Sequence, residues 1–371
     1  MLPLPNATRR GHASDASSHI LNTLRARTRL TNLAVVFLIL ALMVSLILNF
    51  NVVFKTSQKP SYSSWLNSAT PEQLHSPIPL SLHTTIERDP RYAYIDHLIM
   101  VPGHAIWLGH DDDRVEQDED WILEPMQKGG SIQTFVKHIR RGVQALEEDP
   151  HSLLVFSGGA TRSPPSLPTS ESLSYYRLAV ALSLIPQTPL SKVPKSSPLP
   201  LNLRTATEEY ALDSYQNLLF SIARFKEVTG TYPKKITVVG YGMKQRRFEK
   251  LHRVALRFPS KNFHYIGIDD QGDTTSHYIG ELRHGYLPFL ASPSGCHPPL
   301  SIKRLIRNPY ARFHPYFTSC PELSKLLEWC PPVQKYNDSL TWDREEEEEG
   351  ARFPYQLPWD LKNVAWSKEW S

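Results

Sequence analysis

Four segments of this chain carry residue types that can hold and act on a small anion. Ser157-Gly158-Gly159 ends the apolar run Leu153-Leu154-Val155-Phe156 and is followed by Thr161-Arg162. So small a loop lets backbone N–H groups face outward, and amides beside a guanidinium suit phosphate or carboxylate. Thr169-Ser170-Glu171 then reads as a helix start. A carboxylate is favoured there by the helix dipole. Glu171 is therefore either a general acid or base or, with Ser170, a plain cap. Pro102-Gly103-His104 follows a second apolar run that ends at Val101. Gly103 permits close backbone approach, and His104 can donate, accept or shuttle a proton; the alternative is a tight turn with a surface histidine. Gly240-Tyr241-Gly242-Met243-Lys244-Gln245-Arg246-Arg247 follows a third run ending at Val239. Lys244, Arg246 and Arg247 complement a negative ligand, or else begin a solvated helix, although cations are unfavourable at a helix N-terminus.

A polar stripe forms the fourth segment. On a helix predicted from about 206, Ala211, Tyr215, Leu218, Ile222 and Phe225 make the core face. Tyr210, Ser214, Asn217 and Ser221 run beside that face rather than opposite it. Such a stripe is either a cleft wall or a hydrogen-bonded seam between helix and sheet. Asp111-Asp112-Asp113 and Asp118-Glu119-Asp120 offer oxygens that a hard cation accepts, but their spacing is not a calcium loop, and no metal site is assigned. The chain has no Walker loop, Gly-x-Gly-x-x-Gly, Gly-x-Ser-x-Gly or His-Glu-x-x-His motif. That argues against ATPase, ordinary dehydrogenase, α/β-hydrolase and zinc-protease chemistry.

The elements that must position these loops alternate. Strands are predicted at His97–Val101, Leu153–Phe156, Ile236–Val239 and Phe263–Ile266, and helices at about 131–147, 171–184, 206–227 and 245–256. Alternation of this kind predicts an α/β fold, a Rossmann-like three-layer sandwich with a mostly parallel sheet. In such sheets ligands bind outside the carboxyl ends of the strands, where three of the four loops fall. Residues 187–203 read as a Pro/Ser-rich surface insert, 291–335 as an extension wrapping the domain of 91–290, and 336–371 as an acidic, Trp-rich tail whose Trp359, Trp366 and Trp370 are expected to dock back.

Leu33 to Phe50 is apolar except for Ser45 and Asn49, and Val52-Val53-Phe54 extends it. That length predicts a transmembrane helix over 33–54, so the expected partner is the lipid bilayer. Arg9, Arg10, Arg25, Arg27 and Arg29 precede it against Asp15 alone, which places the tail of residues 1–32 in the cytosol. A Ser-, Pro- and Thr-rich stalk at 55–90 then leads to a domain across the membrane, in the Golgi or endoplasmic reticulum. The Arg- and Ser-containing, acid-poor N-terminus leaves a mitochondrial inner-membrane protein as the alternative. Net charge is only +4, which implies no nucleic-acid partner. Among three cysteines, Cys320 and Cys330 bracket a short helical segment and either bridge or stay as buried thiols, leaving Cys296 over. Asn337-Asp338-Ser339 is a sequon usable only on the lumenal side.

Taken in order, the loops resemble the YdcF-like family over about residues 95–270. The resemblance rests on Pro102-Gly103-His104, on Ser157-Gly158-Gly159 with Ser170-Glu171, and on Ser214-Tyr215-Gln216-Asn217 where the family has Thr-x-Glu-Asn. Gly242 or Met243 stands where the family has a histidine after the late strand, before an arginine matched by Arg246 or Arg247, and His252 is placed to compensate. The resemblance implies a Rossmann-like fold and a small-molecule pocket. It suggests S-adenosylmethionine as cofactor, although that molecule is scarce across a membrane. The expectation is a membrane-tethered enzyme on a phosphate- or sugar-containing envelope, glycan or lipid-linked molecule, with Glu171 catalytic and Gly103, His104, Ser157, Gly158, Gly159, Arg162, Ser214, Asn217 and Arg246 binding. A non-catalytic ligand-binding or scaffold protein is the other expectation, motivated by the changed histidine and by Gln216.

Overall fold

Apolar runs four residues long with no alternation suit strands covered on both faces. The computed structural model, which describes residues 33–46, 88–109, 114–334 and 351–360, places them so. The order of elements is β1 (His97–Pro102), a small antiparallel hairpin β2 (Ile106–Trp107) and β3 (Trp121–Ile122), α1 (Ser131–Glu148), β4 (Ser152–Ser157), α2 (Glu171–Ala181), β5 (Thr205–Glu208), α3 (Ser214–Thr229) and β6 (Lys235–Gly240). A helix α4 follows, wound as a π-helix over Arg247–His252 and continued by Arg253–Ala255, then β7 (Phe263–Gly267), α5 (Thr275–Glu281) and α6 (Leu300–Ile306). The main sheet has the order β5-β4-β1-β6-β7 and every pairing is parallel. Met100 lies level with Val155 on one side and Val238 on the other.

Alternate strand residues feed two cores. Leu98, Met100, Leu153, Val155, Ile236 and Val238 pack with α3 and α4 on one face. Ile99, Val101, Leu154, Phe156 and Val239 pack with α1 and α2 on the other. The fold is therefore α/β, with a five-stranded parallel sheet flanked by helices, consistent with a Rossmann-like arrangement. From β1 the chain steps outward through β4 to β5, then returns to place β6 on the far side of β1. That reversal opens a crevice at the carboxyl ends of β1 and β6.

The structure corrects several expectations. The helix expected from 206 begins at Ser214, because Asp213 caps it by accepting the Gln216 N–H. Thr205–Glu208 is instead an edge strand paired with β4, so Tyr210 and Ala211 precede the helix. The β-branched Thr205 and Thr207 suit that pairing. Cys296, not Cys320, is joined to Cys330. Cys320 is a buried thiol that donates to the Ala223 carbonyl and packs in the α3-side core with Tyr316, Leu323 and Phe353. Trp359 docks, its indole N–H donating to the Leu256 carbonyl.

Contacts divide the chain into two units, Met1–Ser68 and Ala69–Ser371. In the first, residues 33–46 are helical, with exposed apolar side chains all round. Among the described residues no helix is long and apolar enough to cross a membrane. Residues 47–54 of the expected span, the three aspartates 111–113, the Asn337 sequon, Trp366 and Trp370 lie outside the described residues.

Candidate functional site

A cavity of about 650 Å³ occupies the crevice at the strand ends. Its floor is built around Glu171. Ser170 is the cap of α2, its hydroxyl accepting the Leu173 N–H, while the Glu171 and Ser172 amides donate to the carbonyls of Gly159 and Gly158. The Glu171 carboxylate therefore does not cap its own helix. Its Oε1 accepts from the Thr161 hydroxyl at 2.7 Å, and Arg162 Nη2 lies 4.0 Å away. Two glycines make room for it. A Cβ on Gly103 would stand 2.5 Å from the Glu171 Cβ, and one on Gly158, whose φ is +151°, would stand 2.9 Å from Oε2. The glycines of the first two loops thus serve a close approach by a carboxylate.

The outward-facing amides expected of Ser157-Gly158-Gly159 are corrected by the structure. Gly158 N–H donates to the Glu208 carbonyl and Gly159 N–H to that of Ala211, because β5 and the loop after it run alongside. The Ser157 hydroxyl is buried, 3.0 Å from Glu208 Oε2 and 3.0 Å from Asn217 Oδ1. These three residues support the cavity floor without lining it, whereas Gly103, His104, Arg162, Glu171, Ser214 and Asn217 do line it. The stripe on α3 is thus a cleft wall at Ser214 and Asn217. Ser214 Oγ is paired at 2.8 Å with Nε2 of His252, which lies behind the wall against Phe289. Burial, then Arg247 and Arg304, lower the His252 pKa well below the usual histidine range.

His104 is not a surface residue. Its ring packs against Phe135, His138 and Tyr241, and its Nε2 is buried with no hydrogen-bond partner among the described residues. Burial and nearby Lys244 hold it neutral by lowering its pKa well below the usual range. Arg162 ties the cavity rim together: Nη1 is ion-paired with Glu124, and Nη2 donates to the His104 carbonyl at 3.1 Å.

Arg246 is also corrected. Its guanidinium lies over the Tyr286 ring, 4.6 Å from the centroid, and Arg247 lines the cavity instead. One residue turns a helix by about 100°. Arg247 Nη1 pairs with Glu281 Oε1 at 3.3 Å, both side chains being buried. A Cβ on Gly285 would strike Arg247 Nη1 at 2.2 Å, so that glycine admits the pair.

Two lining residues escaped the sequence reading, Lys303 and Arg307, and Lys244 acquires a sharper role. Burial and Arg247 push Lys244 down to about 7; burial and Arg307 push Lys303 down to about 8. Arg307 Nη1 donates to the Leu212 carbonyl at 3.0 Å. Among the described residues none of the three has a carboxylate in ion-pair reach. By contrast, the lining acids are engaged: Glu124 and Glu171 near Arg162, Asp213 by Arg304 at 2.6 Å, Glu281 by Arg247, and Asp270 by the Tyr241 and Ser131 hydroxyls. Lys303 and Arg307 are four residues apart in a segment without any recognised motif, and only their spacing could have flagged them.

Cys296, His297 and Cys330 lie close enough to hold a metal ion, but the two sulfurs are joined to each other.

No family model matches the chain, and no solved structure does. It is similar to a budding-yeast (Saccharomyces cerevisiae) protein described as uncharacterized protein YOR238W. The two are 28% identical over 282 residues, which cover 64% of this chain and 93% of the yeast protein.

Proposed function

We propose that this chain is a single-pass, membrane-anchored protein of the YdcF-like type, with a Rossmann-like domain whose sheet-end cavity takes a small phosphate-bearing molecule. One observation carries the reading: Lys244, Lys303 and Arg307, with no carboxylate in ion-pair reach among the described residues, share a cavity with the Glu171 carboxylate, for which two glycines make room. The cations bind the phosphate oxygens, and Glu171 takes a proton from a nucleophile or hands one to a leaving group. The apolar stretch 33–54 and its arginine-rich flank support the anchor. The Cys296–Cys330 bridge supports an oxidising compartment such as the endoplasmic reticulum or Golgi lumen.

The test is a screen of phosphoesters and phosphorylated sugars on the purified full-length chain, with Glu171→Gln and Lys303→Gln beside it. Turnover by the parent, a loss of about 100-fold or more in Glu171→Gln with binding kept, and weakened binding in Lys303→Gln are expected. Undiminished turnover in Glu171→Gln removes its catalytic role, and failure of every phosphorylated compound to bind overturns the reading.

A second reading, a binding or scaffold protein without turnover, is favoured by Gln216. Its Oε1 accepts the Leu212 N–H at 2.9 Å, so it serves the helix start and brings no charge to the cavity. Stoichiometric binding with no turnover in the same screen selects this reading.

A further inference from the structure

A second cavity, of about 550 Å³, adjoins the first and shares Arg162, Lys303 and Arg307 with it. One short helix sorts the chemistry of the two. Lys303 and Arg307, four residues apart, line both cavities. Ile302 and Ile306, also four apart, sit one position earlier and line only the second. A one-residue offset is a turn of about 100° around the helix, so a cationic stripe and an aliphatic stripe run side by side. Pro288, Pro299 and Leu300 extend the aliphatic lining. Ile302 and Ile306 are nevertheless 52% and 68% exposed, and Leu305 beside them is 77% exposed. Glu124, the carboxylate on the shared wall, is ion-paired with Arg162 and so does not oppose an anion there. Single exposed aliphatics are ordinary, but three within one helix beside a cationic wall are a surface waiting for cover.

We propose that the two cavities form one bipartite site for an amphiphilic phosphate ester, with the phosphate in the inner cavity and an aliphatic chain along Ile302 and Ile306 in the outer one. The inference rests on the reading of the inner cavity as an anion site and narrows its substrate class: a phosphate carrying a long alkyl or isoprenoid chain, rather than a free sugar phosphate. Charge complementarity selects the occupant. An uncharged hydrocarbon would leave the cationic stripe unanswered, and a bare phosphate would leave the aliphatic stripe uncovered.

The test uses the full-length chain in phosphatidylcholine nanodiscs, with empty discs as the partition control. Binding of inorganic phosphate, butyl phosphate, octyl phosphate and octanol is measured by calorimetry. Octyl phosphate is expected to bind at least tenfold more tightly than inorganic phosphate, a modest bar given that one fully buried methylene contributes roughly fourfold. Ile302→Ser with Ile306→Ser, both at exposed positions and both leaving the charge unchanged, should abolish that gain and leave inorganic phosphate within twofold. Arg307→Gln should weaken both phosphates. Octyl phosphate binding no more tightly than inorganic phosphate, a gain that survives the double serine variant, or octanol binding as well as octyl phosphate overturns the bipartite site while leaving the anion site standing. If neither inorganic nor butyl phosphate binds, the anion reading itself has failed and the bipartite site falls with it. Vesicles doped with phosphatidic acid distinguish the sources. Displacement of octyl phosphate by them assigns a bilayer lipid, and no displacement assigns a monomeric amphiphile; either result accords with the proposal.

Discussion

Replacing Gly103 with alanine tests whether the first glycine loop exists to admit Glu171. The added Cβ would lie 2.5 Å from the Glu171 Cβ and 3.2 Å from its backbone carbon. Carbon atoms in ordinary contact stand about 3.5–4.0 Å apart, so the two segments must separate by about 1 Å. Neither clashing atom can rotate away, because both belong to the first turn of α2, which the Glu171 and Ser172 amides tie to the Gly159 and Gly158 carbonyls. Overpacking of this sort costs about 1–3 kcal/mol. Gly103 is not among the positive-φ glycines, so alanine also brings about 0.4–1 kcal/mol of stabilisation through the unfolded chain. The expected net loss is about 1–2 kcal/mol, read by urea unfolding of the full-length chain. A double-mutant cycle sharpens it. Glu171→Ala keeps the clashing Cβ and should give no relief, whereas Glu171→Gly removes it and should recover about 1 kcal/mol or more of the Gly103→Ala loss. Where turnover is measurable, Gly103→Ala should lower it by about 100-fold, the usual cost of a 1 Å misplacement. The reasoning fails if Gly103→Ala is as stable as the parent, or if Glu171→Ala relieves it as well as Glu171→Gly does.

Burial raises Glu208 to about 7 from an ordinary 4.5, against hydrogen bonds from the Tyr210 and Ala211 amides and the Ser157 and Tyr316 hydroxyls. The folded state then binds more protons than the unfolded one, so this stability is full below about 4.5 and lost as pH rises through about 7, roughly 3 kcal/mol in all. Unfolding at pH 5 and pH 8 should show that slope in the parent and a flatter one in Glu208→Gln; an unchanged slope contradicts it. Lys244 and Lys303, at about 7 and about 8, lose charge across neutral pH, so affinity for sulfate, whose own charge is constant there, should fall as pH rises through that range. Lys244→Arg and Lys303→Arg together should make it nearly level, and calorimetry at several pH values decides. Cys296→Ser and Cys330→Ser should destabilise the chain equally, by about 2–4 kcal/mol, because each opens the same bridge across 34 residues. Equal non-reducing gel mobility of parent and Cys296→Ser would contradict that pairing.

The three central strands β4, β1 and β6 were legible because a strand covered on both faces is a local apolar run, and Leu153–Phe156 needs no partner to reveal itself. The edge strand Thr205–Glu208 was not legible, since Thr-Ala-Thr-Glu contains no apolar run and only its pairing with β4 makes it a strand. Cysteine spacing could not choose between Cys296 and Cys320, because burial of Cys320 against Ala223 depends on how the extension folds back over α3. Arg246 and Arg247 were interchangeable in the sequence, and the π-helical start of α4 set which one faces the cavity.

The sequence by itself determined that loops bearing Gly103, Glu171 and Lys244 follow parallel strands, because strand runs, glycine breaks and helix caps are encoded within a few residues. Only the tertiary structure decided that the amides of Gly158 and Gly159 are spent on β5 and the loop after it, and that Lys303 and Arg307 reach the same cavity as Glu171. Hydrogen-bond satisfaction and charge proximity are properties of neighbours in space, and those neighbours lie 50 to more than 100 residues apart along the chain.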